Sequence, residues 1–139
     1  MTSANGPGST PTQDPSGAPV HGEILVQTTQ SWNGIAYRAY PNGQPQLTVL
    51  KMTIPPHTTL PWHTHAIPNA AYVSSGQLTI EDKGTGESKT CRAGEALAES
   101  VDVVHRGVTG EEPAVVIIVY AGAPGIPTST PLPGGKPEY

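Results

Sequence analysis

Two histidines one residue apart, in the run Leu60-Pro61-Trp62-His63-Thr64-His65, are the first chemistry the sequence offers. Residues two apart on a β-strand project from the same face, so His63 and His65 can present two imidazoles to one ion. His105 offers a third. Three imidazoles suit a divalent transition metal and leave coordination positions open for another ligand. Cys91 is the single cysteine, which excludes an internal disulfide framework and a cysteine-rich zinc site. Any metal here must take histidine and oxygen donors. A pair of imidazoles at a loop end would give the same local sequence, so the surrounding spacing has to decide.

The elements that would position these residues are strands. From Gly22 to Gly122 the chain alternates short runs rich in Val, Ile, Thr and Tyr with turn residues such as Asn33-Gly34, Gly84-Thr85-Gly86 and Ala93-Gly94. The pattern predicts strands near 23–30, 35–40, 46–54, 62–65, 69–75, 77–82, 88–92, 95–99, 103–109 and 114–121. Leu78 and Ile80 alternate with Thr79 and Glu81, as one buried and one wet face require. The run Ala114 to Tyr120 is apolar on both faces, which places it centrally or under a second subunit. No segment carries a sustained helical period. The fold class is therefore all-β, with little or no helix, as a sandwich, jelly roll or small barrel.

The 139 residues suffice for one domain. Residues 1–21 read as a disordered polar tail, 22–121 as the β domain, and 122–139 as a Pro/Gly-rich tail that wraps the surface or stays disordered. The net charge is −4 and there is no basic cluster, which argues against nucleic acid as a partner. No apolar run approaches the ~20 residues a membrane-spanning helix needs. The first basic residue is Arg38, so no secretory signal is visible and the chain as written is expected in the cytoplasm. A mature exported form would read the same way.

The spacing around the histidines resembles the cupin superfamily. Its first motif, Gly-x5-His-x-His-x3-4-Glu-x6-Gly, falls on His57, His63, His65, Asn69 and Gly76. Its second, Gly-x5-Pro-x-Gly-x2-His-x3-Asn, falls on Gly94, Ser100, Asp102, His105 and Thr109. Seventeen residues separate the motifs, as in compact bacterial members. The resemblance covers 46–121 well and 22–45 loosely. It implies a cupin-type β-barrel or jelly roll with one divalent metal ion (Fe, Zn, Mn, Ni or Cu) on His63, His65 and His105. His57 takes the place of a glycine, Ser100 and Asp102 replace Pro and Gly, and Thr109 replaces an Asn. The largest departure is Asn69, which stands where the family has a ligating glutamate.

Three neutral imidazoles without that glutamate would leave the ion its full double charge, favouring anionic or enolate ligands. Asn69 would ligate weakly, hydrogen-bond a water or substrate, or simply line the strand. Glu99, six residues before His105, is expected near the cavity, orienting a ligating histidine or carrying a proton. The pair Glu99-Ser100 resembles that of the three-histidine, iron-dependent, β-diketone-cleaving members. The resemblance thus implies a small-molecule substrate of the enol or diketone kind, with an Fe(II)-dependent dioxygenase first. A Zn-, Mn- or Ni-dependent isomerase, lyase or hydrolase stands beside it. So does a non-catalytic metal- or ligand-binding sensor or accessory protein. A homodimer is expected from the doubly apolar strand.

Overall fold

The computed structural model describes residues 17–139. Nine strands run in chain order: β1 Gln46–Ile54, β2 His63–Thr64, β3 Asn69–Ser75, β4 Gln77–Asp82, β5 Ser88–Arg92, β6 Ala96–Ala98, β7 His105–Val108, β8 Ala114–Gly122 and β9 Thr130–Pro131. They form two antiparallel sheets, of order β1-β8-β3-β6 and β5-β4-β7-β2-β9. The fold is the all-β jelly roll expected from the strand pattern. Among the described residues no helix is long and apolar enough to cross a membrane.

The core lies between the sheets and follows period two. Met52 and Ile54 of β1, Ala71 and Val73 of β3, Leu78 and Ile80 of β4, and Val116, Ile118 and Tyr120 of β8 are all buried. β8 is central in its sheet, paired with β1 along nine residues and with β3 on its other edge. Its inward residues make the core, while Val119 on the opposite face is 41% exposed. Cys91 is a buried free thiol packed in that core.

Glycine at 76 is a requirement of the packing. Its φ is 72°, and a Cβ there would lie 2.1 Å from the Pro113 carbonyl oxygen. The β3–β4 turn closes only without a side chain.

Two expectations are corrected. Residues 23–30 and 35–40 form no strands; a single bridge, Gln30 to Ala36, joins them. Ile24, Leu25 and Val26 are exposed because no sheet edge reaches them. Their β-propensity has nothing to pair with. In the other direction, Thr130–Pro131 forms a short strand against His63–Thr64, in a segment whose sequence shows no strand pattern. The expected disordered tail, 1–21, lies for the most part outside the described residues.

Candidate metal centre

His63 and His105 face each other across β2 and β7 as register partners. His65 follows from the same face of the first segment. The three ring centroids stand 4.4 to 4.9 Å apart, and all three side chains are buried. Each ring is oriented from behind by a backbone carbonyl: His63 Nδ1 lies 2.9 Å from Pro61 O, His65 Nδ1 2.7 Å from Thr128 O, and His105 Nδ1 2.8 Å from Val103 O. A carbonyl only accepts, so each Nδ1 carries the proton and each Nε2 keeps its lone pair. Those three Nε2 atoms are buried without a hydrogen-bond partner. Buried polar atoms are rarely orphaned. Here the candidate donor atoms of the three rings lie within 4.8 Å of one another.

Two carboxylates complete the arrangement. Glu99 Oε1 is 3.4 Å from His65 Nε2 and 3.2 Å from His105 Nε2. Glu138 Oε2 is 3.2 Å from His63 Nε2. Both side chains are less than a tenth exposed. Ligands held about 2.1 Å from a common centre stand roughly 3.0–3.4 Å apart along a coordination edge. The histidine–carboxylate separations match that edge, and the three rings could hold a divalent ion, whose charge would offset that of the two carboxylates.

The electrostatics follow from burial and proximity. Burial and the neighbouring His105 push His63 down to about 4. Burial also acts downward on His65, but the Glu99 charge outweighs it and raises that ring. Glu99 itself is held well below the carboxylate range: burial opposes ionisation, and His65 and His105 more than reverse it. Glu138 moves the other way, raised by burial and by the charge on Glu99. Tyr37, whose hydroxyl donates to the Glu99 carbonyl at 2.6 Å, is pushed up to about 12 by burial and the Glu99 charge.

A Cupin domain match covers residues 50–120. The chain belongs to the cupin family. No curated protein matches it. Among solved structures, this cupin is similar to the polyketide cyclase RemF from Streptomyces resistomycificus (20% identity, TM-score 0.53, covering 62% of this chain and 60% of that one). It is similar also to the DMSP lyase DddQ from Ruegeria pomeroyi DSS-3 (15% identity, TM-score 0.53, 58% of this chain and 41% of that one). A third is a cupin-like protein from Thermotoga maritima (17% identity, TM-score 0.53, 62% and 64%). The matched region spans less than two thirds of each of these proteins, and at such identities the likeness is one of fold.

The cupin brings together His63, His65, His105 and Glu99, the residues expected to meet. Asn69 is buried on β3, in register with Tyr120. Its Nδ2 donates to its own neighbour's carbonyl, Ile67 O, at 3.0 Å, while Oδ1 has no partner. The Glu99 carboxylate reaches His65 and His105 from just beyond β6, where the Glu99 N–H bonds the Asn69 carbonyl at 3.0 Å. The charge argument from three histidines alone is thereby changed. His57 is exposed, away from the cluster. Sequence reasoning missed Glu138. The one available signal was Leu132-Pro133-Gly134-Gly135, a turn signature that sends the chain back toward the barrel.

Proposed function

We propose that this cupin is a divalent-metal-dependent enzyme acting on a small anionic, chelating molecule of the enol or diketone kind. The observation that carries the reading is the convergence of three buried, unpartnered imidazole nitrogens beside an ionised carboxylate, Glu99. His63, His65 and His105 would hold the ion, with Glu99 as its oxygen neighbour. When bound, such an ion supplies Lewis-acid polarisation of a substrate oxygen or, if iron, oxygen chemistry.

The chain's own residues do the rest. Backbone carbonyls behind the rings fix their orientation before an ion binds. Glu99, kept ionised by two imidazoles, is placed to take a proton from a substrate carbon or hydroxyl. The buried Oδ1 of Asn69 has no partner and would be free to accept from a substrate hydroxyl. Apolar walls from Met52, Leu78 and Ile118 keep bulk water out. Two of the similar folds being enzymes, a cyclase and a lyase, supports catalysis over passive binding.

A second reading is an Fe(II)-dependent dioxygenase. The mostly aliphatic lining of the cavity beside His63 and His105 favours it, because dioxygen is an apolar molecule. Imidazole donors accept Fe, Zn, Mn, Ni and Cu alike.

Elemental analysis of protein purified without added metal tests the main reading. One equivalent of a transition metal is expected, lost from His63→Ala, His65→Ala and His105→Ala and retained by His57→Ala. Equal loss from His57→Ala would sink the ligand assignment. A metal-loaded protein that turns over no enolisable acid or diketone would be a binding cupin instead.

We also propose a homodimer through the outer face of the β1-β8-β3-β6 sheet. Leu47, Val49, Tyr72 and Val119 are exposed there, and so are Ile24 and Leu25 of the preceding segment. Apolar faces of this kind are normally covered. A mass of one chain by light scattering at micromolar concentration would overturn the dimer.

A further inference from the structure

The segment 123–139 crosses the mouth of the barrel as a strap. It leaves β8, orients His65 through Thr128 O, pairs with β2 through Thr130–Pro131, and turns at Leu132 to Gly135. The turn has proline at its second position and a glycine of φ 77° at its third, with Gly135 N–H bonding Leu132 O at 2.8 Å. That reversal brings Glu138 back over the metal centre.

Two carboxylates therefore meet the histidines, and they are held very differently. Glu99 follows β6, is bonded through its backbone to Asn69, and sits between His65 and His105. Glu138 hangs on the strap. Its Oε2 reaches His63 Nε2 at 3.2 Å, and its Oε1 is buried with no hydrogen-bond partner. A buried carboxylate oxygen without a donor is costly unless a cation is near. The hydroxyls of Thr128 and Tyr139 join at 2.6 Å, a tie within the strap itself. The space beneath holds only about 20 Å³, so nothing larger than a water can reach the histidines while Glu138 is in place.

We propose that Glu138 is the internal occupant of an anion subsite on the three-histidine face, holding the place that the carboxylate of a small carboxylic acid takes when the strap lifts. The proposal rests on the metal-centre reading and narrows its substrate class to carboxylates. Glu99 is the fixed carboxylate of the site and Glu138 the exchangeable one. Exchange is balanced in charge, since one carboxylate leaves as another enters. The strap then lifts from Glu138 back toward the turn at Leu132 to Gly135, while Thr128 O keeps its hold on His65.

Co(II) and malonate are the probes. Wild type, Glu138→Ala and Glu138→Gln are loaded with Co(II), and malonate is titrated against the visible absorption of the metal. Hydrogen–deuterium exchange of 128–139 is followed in parallel on loaded wild type. Malonate is expected to bind both variants at least 10-fold more tightly than wild type, and to raise exchange across the strap of wild type. Equal malonate affinity in all three proteins, or binding that leaves strap exchange unchanged, overturns the proposal. If wild type takes up Co(II) and His63→Ala does not, the metal reading stands and only the role of Glu138 falls. If wild type takes up no Co(II), both fall. The exchange measurement needs no variant, so a poorly folding substitution does not decide the matter.

Discussion

The two ends of the described chain invert what their sequences suggest. Residues 23–40 carry Ile, Leu, Val, Thr and Tyr in runs of strand-like composition, yet they contribute one isolated bridge. Residues 123–139 are broken by proline and glycine, yet they supply a short strand, the acceptor that orients His65, and a buried carboxylate at the histidines. A strand needs an unpaired edge: β2 offers one to the strap, while the β6 edge meets the first segment only at Trp32. Burial likewise follows position over the barrel mouth and not hydrophobicity: Glu138 is inside and Ile24 is 73% exposed. The hydrogen bonds from the first segment to the barrel come from Trp32, Asn33 and Tyr37. Trp32 N–H bonds Ala98 O at 2.9 Å, and Asn33 Nδ2 donates to Asp82 Oδ2 at 2.8 Å.

Removing the strap should have the largest effect. A chain ending at Pro127 loses both the carbonyl behind His65 and Glu138, and a fall in metal affinity of about 100-fold is expected from the lost support. Competition with a chelator measures it. The contrast between the two ends collapses if removing residues 1–28 weakens the metal as much.

Asn33→Ala comes next, at about 2 kcal/mol in denaturant unfolding, because it strands Asp82 and the hydroxyls of Ser31 and Ser100 that donate to Asn33. Burial opposes ionisation of Asp82, but hydrogen bonds from Asn33, Thr85 and Gly84 hold its pKa below the usual value. A lowered folded pKa stabilises above the unfolded value of about 3.9 and is lost as pH falls. The difference between wild type and Asn33→Ala should therefore be full at neutral pH and shrink below about pH 4. A constant gap across that range would mean Asn33 acts only by packing.

Gly134→Ala should cost about 1–2 kcal/mol of local stability in the strap, since φ is 77° there and a Cβ would meet open space. Faster amide exchange over 128–139 with an unchanged melting temperature is the expected readout. The smallest effect belongs to removal of 1–28: stability and metal affinity of the single chain should change by less than about 0.5 kcal/mol. A larger loss would show that this segment packs onto the barrel in solution.

Much of the barrel and of its histidine cluster was legible in the sequence, because local rules govern both. Period-two alternation placed Leu78 and Ile80 inside, and the His-x-His spacing put two rings on one face. The motif departures at His57 and Asp102 are also local: both take positive φ, 53° and 61°, where glycine is usual. His and Asp are among the residues that tolerate that region. What the tertiary structure alone decided is how carboxylates meet the rings. Glu99, expected near the cavity from its place before His105, is set against His65 and His105 by the pairing of β3 with β6 across about thirty residues. Glu138 enters because a two-residue strand and one glycine turn fold the strap over the mouth, and such short elements carry too little periodicity to be read from sequence.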